Sequence, residues 1–285
     1  MFVLFVYHIF HISISHLFCS VLFCIFTYLP PANLNTLASF KLCITLSNPL
    51  KPFVAHFFKR QCALLALNGI ALGELPETKE CILKEDGLSS ILDLVKSDKN
   101  VSETTHAGLY LLATLAENTQ ICDTLVAMDC LPMIVDGSTT QSIEIKRAAA
   151  YFLSLLSECP EYHNGLQHVG GLESIVALAS LVDEECQDYG AFTLAFLANN
   201  KSFQVPLVKM GAVRPLVSMM ETSSQARHFA ALALLKLADN FENHVQIASE
   251  GGINALLKLG RSKVSCDNMR YSASLTVSRM AKNIE

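Results

Sequence analysis

The side chains with chemical potential fall into two small groups. Cys159, His163 and His168 lie close together, as thiolate and imidazole ligands do around a zinc ion. The two histidines are five residues apart, which puts them on different faces of a helix. They read as a loop-and-surface cluster, and no metal is expected. Asp183, Glu184, Glu185 and Asp188 form an acidic run in which two carboxylates could divide general acid and general base roles. A helix start favours acidic residues through its dipole, and that is the role expected of this run.

The phosphate-cradling G-x-x-x-x-G-K-[ST], the dinucleotide G-x-G-x-x-G after a strand, the G-x-S-x-G elbow and the H-E-x-x-H zinc motif are all absent. Ten cysteines are scattered without one C-x-x-C, so a reducing compartment and buried thiols at Cys62, Cys81, Cys122, Cys159 and Cys186 are expected. No catalytic residue, cofactor or small-molecule substrate is expected.

The elements that would position such residues come from pattern and composition. Of 285 residues, 51% are hydrophobic and 16% charged, too apolar for a disordered chain. The net charge of −5 lacks the basic footprint that phosphate neutralisation demands, which sets nucleic acid aside. Residues 1–29 contain no Asp, Glu, Lys or Arg and are long enough to span a bilayer. Three readings stand for them: a membrane helix, a stretch foreign to the natural chain, and a signal peptide, the last disfavoured by the missing basic start and cleavage site. As a membrane helix, the segment would leave the repeats facing the cytosol, because Lys41, Lys51, Lys59 and Arg60 follow it. Residues 30–58 form a lead-in without counterpart later in the chain.

From residue 59 to residue 285 the chain repeats itself. Leu72 and Leu88, Leu115 and Leu131, Leu156 and Leu172, Leu197 and Val213, and Leu237 and Ile253 are each 16 residues apart, and the second members follow at intervals of 43, 41, 41 and 40. A period near 40 is that of helical solenoids. Ahead of each first anchor the apolar spacing predicts a long helix, as in Ala149, Phe152, Leu153 and Leu156. Polar breaks such as Glu117-Asn118-Thr119 and Asn199-Asn200-Lys201 predict caps for a short helix, for example Gln204 to Lys209. Gly170, Gly211 and Gly251 predict left-handed corners, and Pro132 and Pro215 predict the first turn of the next helix.

The runs Gly170-Gly171-Leu172-Glu173-Ser174-Ile175-Val176-Ala177-Leu178 and Gly251-Gly252-Ile253-Asn254-Ala255-Leu256-Leu257-Lys258-Leu259 resemble the Gly-Gly-Ile-x-x-Leu-Val-x-Leu segment of the armadillo family. Residues 230–238 resemble its third helix. The resemblance implies an all-α, right-handed α-solenoid of about five to six armadillo repeats, and a cytoplasmic scaffold that holds protein segments along a concave wall of third helices. A membrane-tethered adaptor, anchored through residues 1–29, is the alternative. In the importin-alpha branch that wall carries a Trp and, four residues on, an Asn in each repeat. The matching positions here are Tyr110, Tyr151, Phe192 and Leu232, then Thr114, Leu155, Phe196 and Lys236, and the chain has no Trp. A nuclear-import receptor is therefore not expected. The beta-catenin branch uses a basic groove, and Lys146, Arg147, Arg227 and His228 supply a patchy basic edge. The tyrosines and Phe192 read equally as a gripping stripe and as packing between repeats. A myristoyl anchor is excluded by Phe2, since that modification needs glycine there.

Overall fold

The structure, a computed structural model, describes residues 87–97, 102–221, 225–261 and 267–282. The expectations for residues 1–58, for Leu72 and for Cys62 and Cys81 lie outside them. Every regular element among the described residues is helical. In order these are α1 (Gly87–Ser97), α2 (Ser102–Ala116), α3 (Thr119–Ala127), α4 (Leu131–Thr139), α5 (Ile143–Ser157), α6 (Pro160–His168), α7 (Gly171–Ala179), α8 (Glu184–Leu197), α9 (Lys201–Lys209), α10 (Val213–Met219), α11 (Ala226–Leu237), a 3-10 turn (Phe241–Asn243), α12 (His244–Ser249), α13 (Gly252–Arg261) and α14 (Asp267–Ala281). No helix among them is long and apolar enough to cross a membrane. The described residues fall into two compact units, the first ending at Ile121 and the second beginning at Cys122.

In the first unit, α1 buries Leu88, Ile91, Leu92 and Val95, the i, i+3, i+4, i+7 stripe of an amphipathic helix, and packs on α2. Asn118 ends the unit's polar break as expected, its side-chain oxygen accepting from the backbone of Gln120 at 3.0 Å and Ile121 at 3.3 Å.

In the second unit two shorter helices and a long one alternate, and the long helices α5, α8 and α11 pack in sequence, with α14 on α11. The anchors Leu131, Leu156, Leu172, Leu197, Val213 and Leu237 are all buried, while Ile253 is half-buried. Asn200 caps α9 by accepting from the backbone of Ser202, so this helix starts at Lys201 rather than Gln204 and carries Pro206 inside it.

Gly170, Gly211 and Gly251 adopt φ of 78°, 90° and 84°, left-handed values that glycine tolerates without a Cβ penalty. Asp129 takes the same corner one period earlier, at φ 56°, and is the position the sequence pattern misses. Aspartate enters this region at a cost that glycine does not incur. Asp129→Gly is therefore expected to stabilise the protein by about 0.5–1 kcal/mol, seen as a higher urea midpoint with unchanged slope; a lower midpoint would show that the Asp side chain holds the corner.

A polar contact also recurs where the short helices α6, α9 and α12 meet the preceding long ones. His163 Nε2 meets the carbonyl of Ser157 at 2.8 Å, Gln204 Nε2 donates to Ala198 at 3.0 Å, and His244 Nε2 meets Ala238 at 2.9 Å. All three side chains are buried, lie 41 and 40 residues apart, and reach back six residues to a carbonyl that the helix end leaves unpaired. Facing a carbonyl, each imidazole carries its proton on Nε2.

Candidate functional site

The long helices present a band of half-buried apolar side chains in the second unit. Tyr151 and Leu155 on α5, Phe192 and Phe196 on α8, and Leu232 on α11 are all of intermediate exposure. Tyr151 contacts Tyr189 at 5.2 Å between ring centroids, Phe192 stacks on Phe196 at 4.5 Å, and Phe192 meets Phe229 edge-on at 4.9 Å. Tyr189 and Phe229, three residues before Phe192 and Leu232, join this band although the repeat register does not single them out. Their i−3 spacing puts them on the same helix face, which is the signal that could have found them.

The register also extends to α14. Ala226, Ala230, Ala233 and Leu237 are buried in α11, and Met269, Ala273, Thr276 and Met280 are buried in α14 with the same 4, 3, 4 spacing. Leu275, 38% exposed, thereby falls in the position of Leu232.

The remaining candidates divide. In the first unit Tyr110 is 36% exposed, its ring 6.3 Å from His106. Thr114 is buried and its hydroxyl donates to the carbonyl of Tyr110 at 3.0 Å; this side chain is committed to its own helix rather than presented to a ligand. Lys236 is exposed, Lys146 and Arg227 are half-buried, and His228 is exposed with its ring on Phe229.

Arg147 is engaged within the protein. Its Nε and Nη2 donate to Asp183 at 3.2 and 2.7 Å, and Nη1 approaches Glu185 at 3.7 Å. Asp183 also caps α8, accepting from the backbone of Cys186 at 3.0 Å. Asp188 performs a parallel service one repeat on, accepting from the backbone of Ala226 at 2.6 Å. The acidic run thus joins successive long helices, the helix-start role expected for it, with Arg147 as a partner 36 residues away.

The Arg147 guanidinium, aided by the Cys186 amide, holds Asp183 down at about 2. A folded value below the unfolded one, near 3.9, means that the contribution to stability is complete above about pH 4 and lost as pH falls toward 2. Removing the partner with Arg147→Gln is expected to reduce proton uptake on unfolding in that window by up to about one proton, measured from the pH slope of urea stability. An unchanged slope would mean that the pair does not persist in solution.

Burial favours the protonated thiol at Cys122, Cys159 and Cys186. Burial pushes Cys122 up to about 11 and Cys186 up to about 12, the latter aided by Asp183, and burial raises half-buried Cys159 as well. Tyr162 donates to Asp123, and burial and that bond together raise its phenol. His163 is buried against the Ser157 carbonyl and the ring of Phe203, while His168 is exposed. Among the described residues no group of three His, Cys, Asp or Glu is placed to hold a metal ion.

No protein-family model matches the sequence, and no curated protein does. Solved structures match over most of the chain. One is described as a set of computationally designed armadillo repeat proteins for modular peptide recognition (22% identical, TM-score 0.72, covering 84% of this chain and 98% of that one). A second is a designed armadillo repeat protein (22% identical, TM-score 0.71, covering 85% and 99%). A third is a designed armadillo repeat protein in complex with a (KR)4 peptide (21% identical, TM-score 0.69, covering 85% and 99%). With the helix triplets and their period of about 40 residues, this likeness shows that the chain has the armadillo-repeat fold, an all-α solenoid.

Proposed function

We propose that the protein is a binding scaffold that holds segments of other proteins along the apolar band of its long helices. The observation that carries this reading is the run of half-exposed aromatic and aliphatic side chains at one position of successive long helices, Tyr151, Phe192, Leu232 and Leu275. These positions stay open beside the sealed stripe of each long helix, and aromatic side chains such as Tyr151 supply interface hot spots. Two of the structural neighbours support it by their descriptions, one designed for peptide recognition and one bound to a peptide. The basic residues Lys146, Arg227 and His228 are proposed as further contacts of this band, and Tyr110 as a contact residue of the first unit by itself.

The test begins with peptides selected by display against the full chain. For these, Tyr151→Ala combined with Phe192→Ala is expected to weaken binding by at least about tenfold. Equal affinity in a double variant of unchanged helicity and melting temperature would remove the band as the binding surface.

A further inference from the structure

We infer that the segment taken by this band is an amphipathic α-helix with carboxylates at one end, rather than an extended peptide; the inference rests on the scaffold reading above. An extended chain laid on a protein surface leaves a backbone donor and acceptor at each residue, and these need partners once water is displaced. On α5 and α8 the second row of the band offers none. Leu155 and Phe196 stand there, and the neighbouring hydroxyls are turned inward, Ser154 to the carbonyl of Tyr151 and Thr193 to that of Tyr189, both at 2.7 Å. An α-helix satisfies its own backbone and asks of the surface only apolar contact.

The spacing agrees. Packed helices lie about 8–10 Å apart, and a helix rises about 10 Å in seven residues. A segment crossing α5, α8 and α11 would therefore present one apolar residue to each long helix at heptad-like intervals. About 12–15 residues would suffice to cover that distance.

Within the second row, charge sets the polarity of the fit. The second row is apolar on α5 and α8 and becomes Lys236 on α11. Lys236 is exposed and forms no ion pair among the described residues. The end of the helix over α11 is accordingly the acidic one. A basic peptide such as the (KR)4 of the designed neighbour would bring like charge to Lys236 and find no carboxylate in either row.

The experiment uses the full chain and four fluorescent peptides read by anisotropy. One is an amphipathic peptide of about 16 residues with leucines at i, i+3, i+4 and i+7 and glutamates in its first turn, where they also favour the helix. The second is the same peptide with a central proline, the third has lysines replacing the glutamates, and the fourth is (Lys-Arg)4. The first is expected to bind at least about tenfold tighter than the second and fourth. Phe196→Asn is expected to weaken it by about tenfold. Lys236→Glu is expected to shift preference toward the lysine-bearing peptide by about fivefold, and this surface change keeps the test alive should Phe196→Asn misfold.

If the proline-broken or (Lys-Arg)4 peptide binds as tightly as the first, or if none of the four binds, the helical occupant is overturned. The scaffold reading then stands or falls separately on the display-selected peptides and the Tyr151/Phe192 variant. Tight binding that neither Phe196→Asn nor the Tyr151/Phe192 variant affects would overturn both.

Discussion

Asn243→Asp is expected to destabilise residues 122–285 by about 3–5 kcal/mol at pH 7, despite changing one amide nitrogen to an oxygen. Asn243 is buried, and its Nδ2 donates to two carbonyls at once, Leu237 at 2.8 Å and Gln204 at 3.2 Å. The first closes the end of α11, and the second ties this 3-10 turn to α9 of the preceding repeat. An aspartate would lose both bonds and set a carboxylate against two carbonyl oxygens, a buried charge without a partner. Its folded titration point would lie above the unfolded value near 3.9, because the charged form is the disfavoured one. The deficit therefore grows as pH rises above about 4 and is relieved below it. Asn243→Ala, which loses the bonds without adding charge, is expected to cost about 1–3 kcal/mol. Urea unfolding of both variants at pH 4 and pH 7 checks this. An Asp variant no worse than the Ala variant at pH 7 would mean that water reaches the site.

Phe203→Ala is expected to cost about 3–5 kcal/mol. Phe203 is 1% exposed on α9, and its ring centroid lies 5.7 Å from that of His163, which bonds the Ser157 carbonyl. Truncation would open a cavity between two successive short helices and loosen the wall that keeps His163 on its carbonyl. Phe203→Leu, which restores most of the volume, is expected to cost less than about 1.5 kcal/mol. Calorimetric melting distinguishes them: an Ala variant within about 1 kcal/mol of wild type would show that the neighbours collapse into the space.

Much of the repeat is legible in the sequence because its causes are local or periodic. Gly170, Gly211 and Gly251 announce the corners, since a backbone at positive φ selects a residue without Cβ. Asn118 and Asn200 announce caps through side chains that reach only two or three residues. The anchors recur because each long helix must bury the same stripe against its neighbours. Asp129 escapes for the complementary reason, since an aspartate can serve a corner that most residues cannot and its type alone does not single it out.

The candidate site was less legible. Tyr151, Phe192 and Leu232 follow from register. Whether such residues are sealed between repeats or left half-open depends on the packing of α5, α8 and α11, which periodicity does not encode. Thr114 shows the same limit from the other side. The sequence resemblance sets it where the importin-alpha branch has an Asn, yet its hydroxyl turns to a carbonyl one turn back.

What the sequence by itself determined is the succession of helices, the three glycine corners and the period of the repeat, all consequences of side-chain periodicity and local backbone preference. Only the tertiary structure decided that Arg147 belongs to Asp183 and that Asp188 belongs to the start of α11. It alone showed that His163, Gln204 and His244 do one job with two chemistries. Such contacts join residues about 40 positions apart, or replace an imidazole with an amide of equal reach. Their energies come from geometry after packing, so neither residue type nor spacing in the chain announces them.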